Sequence, residues 1–328
     1  MKHISIIVPK GDFILSSVLG AYKVFNAAND HLLKTGKTTT PFFKIDLVGI
    51  SEETSLYNGL FTIKPNKNIC EIDKTDIVII STIYGNLEKS ISINKPFISW
   101  IKMQHNKNQA EIASLCTGSF LLAETGLANG KSCATHWAYA DAFAKKYPKT
   151  NVQSDKIIVD SNGIYSSGGA YSFLNLILYL VEKHTGKETA LWCSKLLEID
   201  YNRTNQNQFF IFKGQKDHGD TAIIKAQNFI EANFTKKLIV EEIAEKFAIS
   251  TRNFVRRFKK ATNNTPIEYI QRVKIEAAKE QLETTELNIN EIMFNVGYID
   301  SKSFRNLFRK ITGILPLEYK LKYNRQPF

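Results

Sequence analysis

Short, nearly continuous apolar runs punctuate the first two thirds of the chain: Ile4 to Val8, Ile45 to Ile50, Ile77 to Ser81 and Ile112 to Cys116. Between them lie longer stretches of helical period, such as Phe13 to Leu33 and Tyr171 to His184. A strand buried on both faces loses its in/out alternation and reads as a run of Ile and Val, and strands alternating with helices require crossovers above and below a sheet. The pattern predicts an α/β sandwich over residues 1–198. Near its end, Ser161-Asn162-Gly163 separates Ile157 to Asp160 from Ile164 to Ser167, the signal of a hairpin. Lys187 to Leu197 closes this part as a helix. Residues 199–220 are polar and aromatic without clear period, which predicts a linker.

From 221 to 328 the pattern is helical throughout, and it repeats. Phe254, Phe258, Thr262, Pro266 and Glu268-Tyr269 recur fifty residues later as Phe304, Phe308, Thr312, Pro316 and Glu318-Tyr319, each copy with a basic pair behind its second Phe. Ahead of each copy stands a short amphipathic segment, Ile239 to Phe247 or Ile289 to Val296. A turn and a capping residue, Ser250 or Asp300, then follow. This is helix, tight turn, helix, twice. In the first copy Phe254, Phe258, Val255 and Ala261 share one helix face and Arg252, Asn253, Arg256 and Lys259 the other. In the second, Phe304, Leu307, Phe308 and Ile311 predict a buried face and leave Lys302, Arg305, Asn306 and Arg309 outward. An apolar back and a basic, amide-bearing front are what entry into a DNA major groove requires: Arg and Lys for guanine edges and phosphates, Asn for adenine. Pro266 to Glu283 reads as one helix between the copies, with Ile267, Ile270, Val273, Ala277 and Ala278 spaced for burial. Such a rod would let both helices enter successive major grooves, ~34 Å apart.

Composition sharpens this through its location. The net charge is +11 over 328 residues, and the last 108 hold 19 Lys and Arg against 12 Asp and Glu. The longest apolar stretch, Phe173 to Val181, is interrupted by Asn175 and falls far short of the ~20 residues a membrane span needs. Ile4 to Val8 is too short for a signal peptide core, and four scattered cysteines make neither a zinc motif nor a disulfide framework. The expectation is a cytoplasmic protein with no metal and no cofactor.

Candidate chemistry lies at Ala113-Ser-Leu-Cys116-Thr-Gly118, where an apolar strand runs into Cys and then a helix. That is the form of a nucleophile elbow, in which helix amides and dipole lower a thiol pKa and can hold an oxyanion. Thr135-His136-Trp137 follows twenty residues on and offers a base if the two meet in space.

The segment from about Thr221 to Tyr323 resembles the AraC/XylS family of bacterial transcription regulators, through Gly297-Tyr298, Phe304, Phe308, Thr312-Gly313, Pro316 and Tyr319. The resemblance implies base-reading positions at Arg252, Val255 and Arg256 and at Lys302, Arg305 and Asn306. Val255 departs from the usual polar reader, and Leu315 stands where Thr is common. Residues 3–197 resemble the class I glutamine amidotransferase-like superfamily, in its DJ-1/PfpI branch and specifically the GlxA-like form fused to AraC-type modules. The match runs through the Cys116 elbow, Thr135-His136-Trp137 and Ser167-Gly168-Gly169. It implies a flavodoxin-like sandwich preceding an all-α double helix-turn-helix domain. Ser166 to Tyr171 lacks the His and Glu that activate the cysteine in amidotransferases, and Asp12 is the sole match for the acid of the deglycase-like branch.

The resulting expectation is a non-enzymatic transcription regulator. Its N-terminal domain would dimerise and bind a small metabolite near Asp12, Cys116, Thr117, His136, Ser167, Gly168 and Gly169. Its C-terminal domain would bind promoter DNA, with RNA polymerase as a candidate partner. A cysteine-dependent hydrolase or deglycase, or a thiol redox sensor, fused to a DNA-binding module is the alternative.

Overall fold

The computed structural model describes residues 1–324, which form two compact units, one ending at Gln206 and the other beginning at Asn207. The stretch expected to link them is divided: residues up to Gln206 bond within the first unit, while Phe212 and His218 pack in the second. Residues 325–328 of the expected C-terminal domain lie outside the described residues.

In the first unit the strands are β1 (Lys2–Ile7), β2 (Phe43–Gly49), β3 (Thr54–Leu56), β4 (Phe61–Ile63), β5 (Lys67–Asn68), β6 (Ile77–Ile80), β7 (Glu111–Ser114), β8 (Ser132–Cys133), β9 (Asn151–Val152), β10 (Ile158–Asp160) and β11 (Ile164–Ser167). Seven of them make one sheet in the order β10-β11-β7-β6-β1-β2-β5, parallel except for the β10–β11 hairpin. The helices are α1 (Leu15–Lys34), α2 (Leu87–Ile93), α3 (Lys95–Asn108), α4 (Ser119–Glu124), α5 (Ala140–Lys146), α6 (Phe173–Thr185) and α7 (Lys187–Leu196). On one face Ile4, Ile6, Ile77 and Ile79 pack with α1, α6 and α7; on the other Ile7, Val78, Ile80 and Ile112 pack with α3 and α4. Burial on both faces is why these strands read as unbroken Ile and Val. The chain leaves β1 toward β2 on one side and returns to β6 on the other, so the strand order reverses between β1 and β6, where such folds open a crevice at the carboxyl ends of their strands.

The opposite end of β7 carries an ionic cluster. Glu111 accepts from Tyr165 Oη at 3.0 Å and faces His184 Nε2 at 2.8 Å, with Lys183 at 3.5 Å. Burial alone would raise the Glu111 pKa, but the hydrogen bonds from His184 and Tyr165 outweigh it and hold the carboxyl at about 2. A depressed carboxylate contributes stability that is complete above its unfolded pKa of about 4.3 and lost as pH falls through the folded value. Acid titration of the melting temperature should therefore steepen from about pH 4.5 toward 2, and Glu111→Gln should flatten that part of the curve.

The second unit consists of α8 (Thr221–Asn233), α9 (Val240–Lys246), α10 (Thr251–Thr262), α11 (Pro266–Thr284), α12 (Ile289–Asn295), α13 (Ser301–Thr312) and α14 (Pro316–Tyr323). It has two cores. Phe254, Phe258 and Tyr269 centre the first, with α8 and α9; Phe304, Phe308 and Tyr319 centre the second, with α12 and α14. The helix α11 belongs to both, giving Tyr269 and Ile270 to one and Ile275, Ala278 and Leu282 to the other. Its expected core position Ile267 is 57% exposed; Tyr269 and Lys274 are buried instead, because the rod packs on two sides along its length.

Candidate functional site

The repeat acts as a packing device. Phe258 meets Tyr269 edge to face at 5.2 Å and Phe308 meets Tyr319 at 5.5 Å. Each tyrosine hydroxyl donates to a glutamate, Glu231 at 2.6 Å or Glu283 at 2.5 Å. Thr262 and Thr312 donate back to the carbonyls of Phe258 and Phe308, both at 2.8 Å, where Asn263 and Gly313 turn left-handed and end the helix. The recurring Phe, Thr and Glu-Tyr thus build the same corner twice. At the start of α13, Asp300 accepts from the Ser303 amide at 2.5 Å, as its capping role predicts. At α10 the expectation fails in part: Ser250 occupies the cap position with extended backbone, but its side chain makes no cap bond. At α14 only Glu318 reaches back, to the Leu315 amide at 2.8 Å, whereas Thr265 and Glu268 bond reciprocally at the start of α11.

These corners turn the basic faces outward. Arg252, Arg256 and Lys259 on α10 and Lys302, Arg305, Asn306 and Arg309 on α13 are exposed, while Asn253 and Val255 are half-buried. Val255 packs against the first core, so it offers an edge of apolar surface rather than a free side chain. Arg256 donates to Asn253 Oδ1 at 2.9 Å. The two helices are held to one frame by Lys274 of α11, which is buried and donates to the Gly297 carbonyl at 3.1 Å. Gly297 has φ +76°, and a Cβ there would stand 2.2 Å from the Thr235 carbonyl, so glycine is required where the second turn meets the first half.

In the first unit, Cys116 sits between β7 and α4 with φ +53°, a left-handed position that costs a non-glycine residue strain. Gly118 follows because a Cβ there would press within 2.6 Å of the Ile80 carbonyl. The Cys116 amide donates to Ser167 Oγ at 3.1 Å. Burial pushes the thiol pKa up, and the amides of Ala170 and Thr117 offset this only in part. His136 Nδ1 accepts from the Ala138 amide at 3.0 Å, and burial lowers the pKa of the ring. Among the described residues no hydrogen bond joins His136 to Cys116.

Cys116, Thr117 and His136 line a cavity of about 600 Å³ with Leu15, Leu19, Thr82, Tyr57, Tyr84, Tyr139, Ala170, Tyr171 and Phe173. Most of the lining follows the carboxyl ends of β1, β6, β7 and β11, at the reversal point, while Tyr57 comes from the β3–β4 turn and His136 and Tyr139 from the segment after β8. Among the described residues none that lines it is Asp, Glu, Lys or Arg.

Two family descriptions match: "DJ-1/PfpI family" over residues 21–183 and "Helix-turn-helix domain" over residues 243–322. The HTH-type transcriptional regulator ArgR of Pseudomonas aeruginosa is 27% identical over 224 residues, covering 68% of this chain and 68% of that protein. The HTH-type transcriptional regulator GbdR of the same species is 24% identical over 255 residues, 77% of this chain and 68% of that one. The chain is a transcriptional regulator with an AraC-type helix-turn-helix domain. Its first unit has the fold of a putative transcriptional regulator protein from Vibrio parahaemolyticus, with TM-score 0.53 and 22% identity over 60% of this chain and 98% of that one. It also has that of Drosophila melanogaster DJ-1beta, with TM-score 0.50 and 19% identity over 61% and 99%.

In this regulator the expected effector residues do not all meet at the cavity. Cys116, Thr117 and His136 meet at the cavity. Ser167 stands behind the elbow and accepts from the Cys116 amide, Gly168 and Gly169 bond to Ile157 and Gln206 instead, and Asp12 is exposed and not among the lining residues. The tyrosines Tyr57, Tyr84, Tyr139 and Tyr171 were missed because they come from four separate loops and share no spacing. On the DNA side, the basic run around Arg256 includes one residue with a different task. Arg257 forks onto Asp220, the cap of α8, at 3.0 and 2.6 Å, while its repeat partner Leu307 is apolar and packs in the second core. Arg257→Met is therefore expected to leave the salt dependence of DNA affinity unchanged, whereas Lys259→Met should reduce its slope by about 1.

Proposed function

We propose that the regulator is controlled by a small effector bound in the tyrosine-rich cavity beside Cys116. It then reads promoter DNA with α10 and α13 of one chain in successive major grooves. Arg252, Val255, Arg256, Lys302, Arg305 and Asn306 face base edges; Asn253, Lys259 and Arg309 position the helices through neighbouring contacts and phosphates. The first unit pairs two chains, the protein works in the cytoplasm, and RNA polymerase is a further partner at the promoter.

The observation that carries the effector reading is the cavity itself, a concave apolar chamber at the strand edge where this fold takes ligands. Its uncharged lining favours an effector whose buried part is neutral, or a soft cation set against tyrosine faces, because an unpaired charge there is costly. A thermal-shift screen of small nitrogenous metabolites tests this. A true effector at a hundredfold excess over its Kd should stabilise the fold by about 2.7 kcal/mol. A screen in which every stabilising compound acts equally on a Cys116→Trp protein, whose cavity is filled, would contradict it.

The left-handed Cys116 elbow supports a second reading, a covalent one in which the thiol reacts. A raised thiol pKa and the absence of a bonded base weigh against turnover. Alkylation at neutral pH decides between them: slow labelling of Cys116 relative to exposed Cys70 is expected, and selective fast labelling would restore the enzyme.

A further inference from the structure

Gln206 ends the first unit in a stretch that is polar and unperiodic, yet it is 2% exposed. Both ends of its side-chain amide are bonded. Oε1 accepts from the Gly169 amide at 2.8 Å, and Nε2 donates to the carbonyls of Thr135 at 2.9 Å and Ser154 at 2.8 Å. Its own amide donates to the Asp155 carbonyl at 2.9 Å, and Lys156 and Asn205 form an antiparallel bridge, so residues 204–206 lie along 155–157 as a short edge strand.

Two of these partners adjoin the cavity. Thr135 immediately precedes His136, and Gly169 immediately precedes Ala170; His136 and Ala170 both line the chamber. Between them the Gly168-Gly169 turn is one backbone thick. A Cβ on Gly168 would stand 2.8 Å from Gln206 Oε1, and one on Gly169 would stand 2.4 Å from the His136 ring. The His136 ring and the Gln206 amide thus press on the same two-glycine septum, and two bonds of Gln206 lie one residue away from residues that line the chamber.

Four residues later the chain is fastened again, within the second unit. The Phe210 carbonyl accepts from Lys279 Nζ at 2.5 Å, the Arg272 guanidinium lies 5.6 Å from the Phe210 ring, and Phe212 meets Tyr269 at 5.1 Å. Lys279, Arg272 and Tyr269 all belong to α11, the rod that both recognition halves share.

We propose that Gln206 is the positioning residue through which occupancy of the cavity is passed to the DNA-binding unit, by way of the short segment 207–212. The proposal rests on the reading of the cavity as the effector site. An occupant acts by binding more tightly to the form with Gln206 docked, or to the form with it released, and shifts the balance between them.

The test uses the full chain carrying Cys70→Ser, with Cys116 carbamidomethylated by iodoacetamide at alkaline pH as a defined occupant. Wild-type Gln206 protein should then show hydrogen exchange of residues 204–212 changed by about tenfold or more. Its affinity for a duplex selected from a random pool should change by about fivefold or more. Gln206→Met keeps the length and loses every side-chain bond; its segment 204–212 should exchange fast from the outset, and labelling should alter neither quantity. If that variant fails to fold, Gln206→Glu carries the same comparison, since it keeps an acceptor for Gly169 and loses both donors. An adduct that changes DNA affinity equally in wild type and Gln206 variants overturns the coupling and leaves the effector reading intact. A fully labelled wild type with unchanged DNA affinity and unchanged exchange overturns both.

Discussion

Truncating Phe308 to Ala is expected to destabilise the second helix-turn-helix by about 3–5 kcal/mol, a large share of the ~5–15 kcal/mol that holds a typical domain. The Phe308 side chain is fully buried, stacked edge to face on Tyr319 and beside Phe304, and its removal leaves a cavity that fixed helix ends cannot close. Phe258→Ala should do the same to the first half. Because the two cores are separate clusters joined by α11, each substitution should melt one half first. Losing one of two linked readers should lower DNA affinity by about a hundredfold or more, since the second contact is made at high effective concentration. Urea denaturation and anisotropy titration check the two parts. A Phe308→Ala protein with a melted second half and undiminished DNA affinity would show that the second helix does not read.

Substitutions on the helix fronts should separate reading from holding. Arg256→Ala and Asn306→Ala should each cost about 1–3 kcal/mol and relax preference at one base pair, as expected when a bidentate base contact is lost. Lys259→Ala should weaken all sequences alike. Competition titrations with single-base variants of a selected duplex give the pattern. Uniform loss from Arg256→Ala would make that arginine a phosphate contact.

The helix-turn-helix repeat was legible because packing and sequence have the same period there. Phe254, Phe258, Thr262 and Tyr269 each perform a structural task that recurs fifty residues later, so the register of one copy checks the other. The parallel sheet was legible for a related reason: strands buried on both faces cannot hide their Ile and Val. What the sequence concealed depends on long-range contact. Lys274 looks like a solvated helix residue until Gly297 is seen against it, and Arg257 looks like one more basic reader until Asp220 is found 2.6 Å away. Ile267 follows a helical period that the rod, flanked on two sides, does not obey. The cavity is assembled from loops far apart in the chain, so Cys116 and His136 were recognisable by local form, whereas the tyrosines around them were not. Gln206 lies in a stretch with no pattern at all, and its burial follows entirely from its bonds to Thr135, Ser154 and Gly169.

In the proposed mode of binding, one chain reads two DNA elements with α10 and α13. Its most direct test is selection of duplexes from a random pool by the full chain, followed by titration of the winning sequence across salt concentrations. The expected result is two short elements about one helical turn, ~10 base pairs, apart, affinity that collapses when five base pairs are inserted between them, and a steep fall with salt. Enrichment of a single element indifferent to the insertion, or binding that is blind to sequence and insensitive to salt, would contradict it.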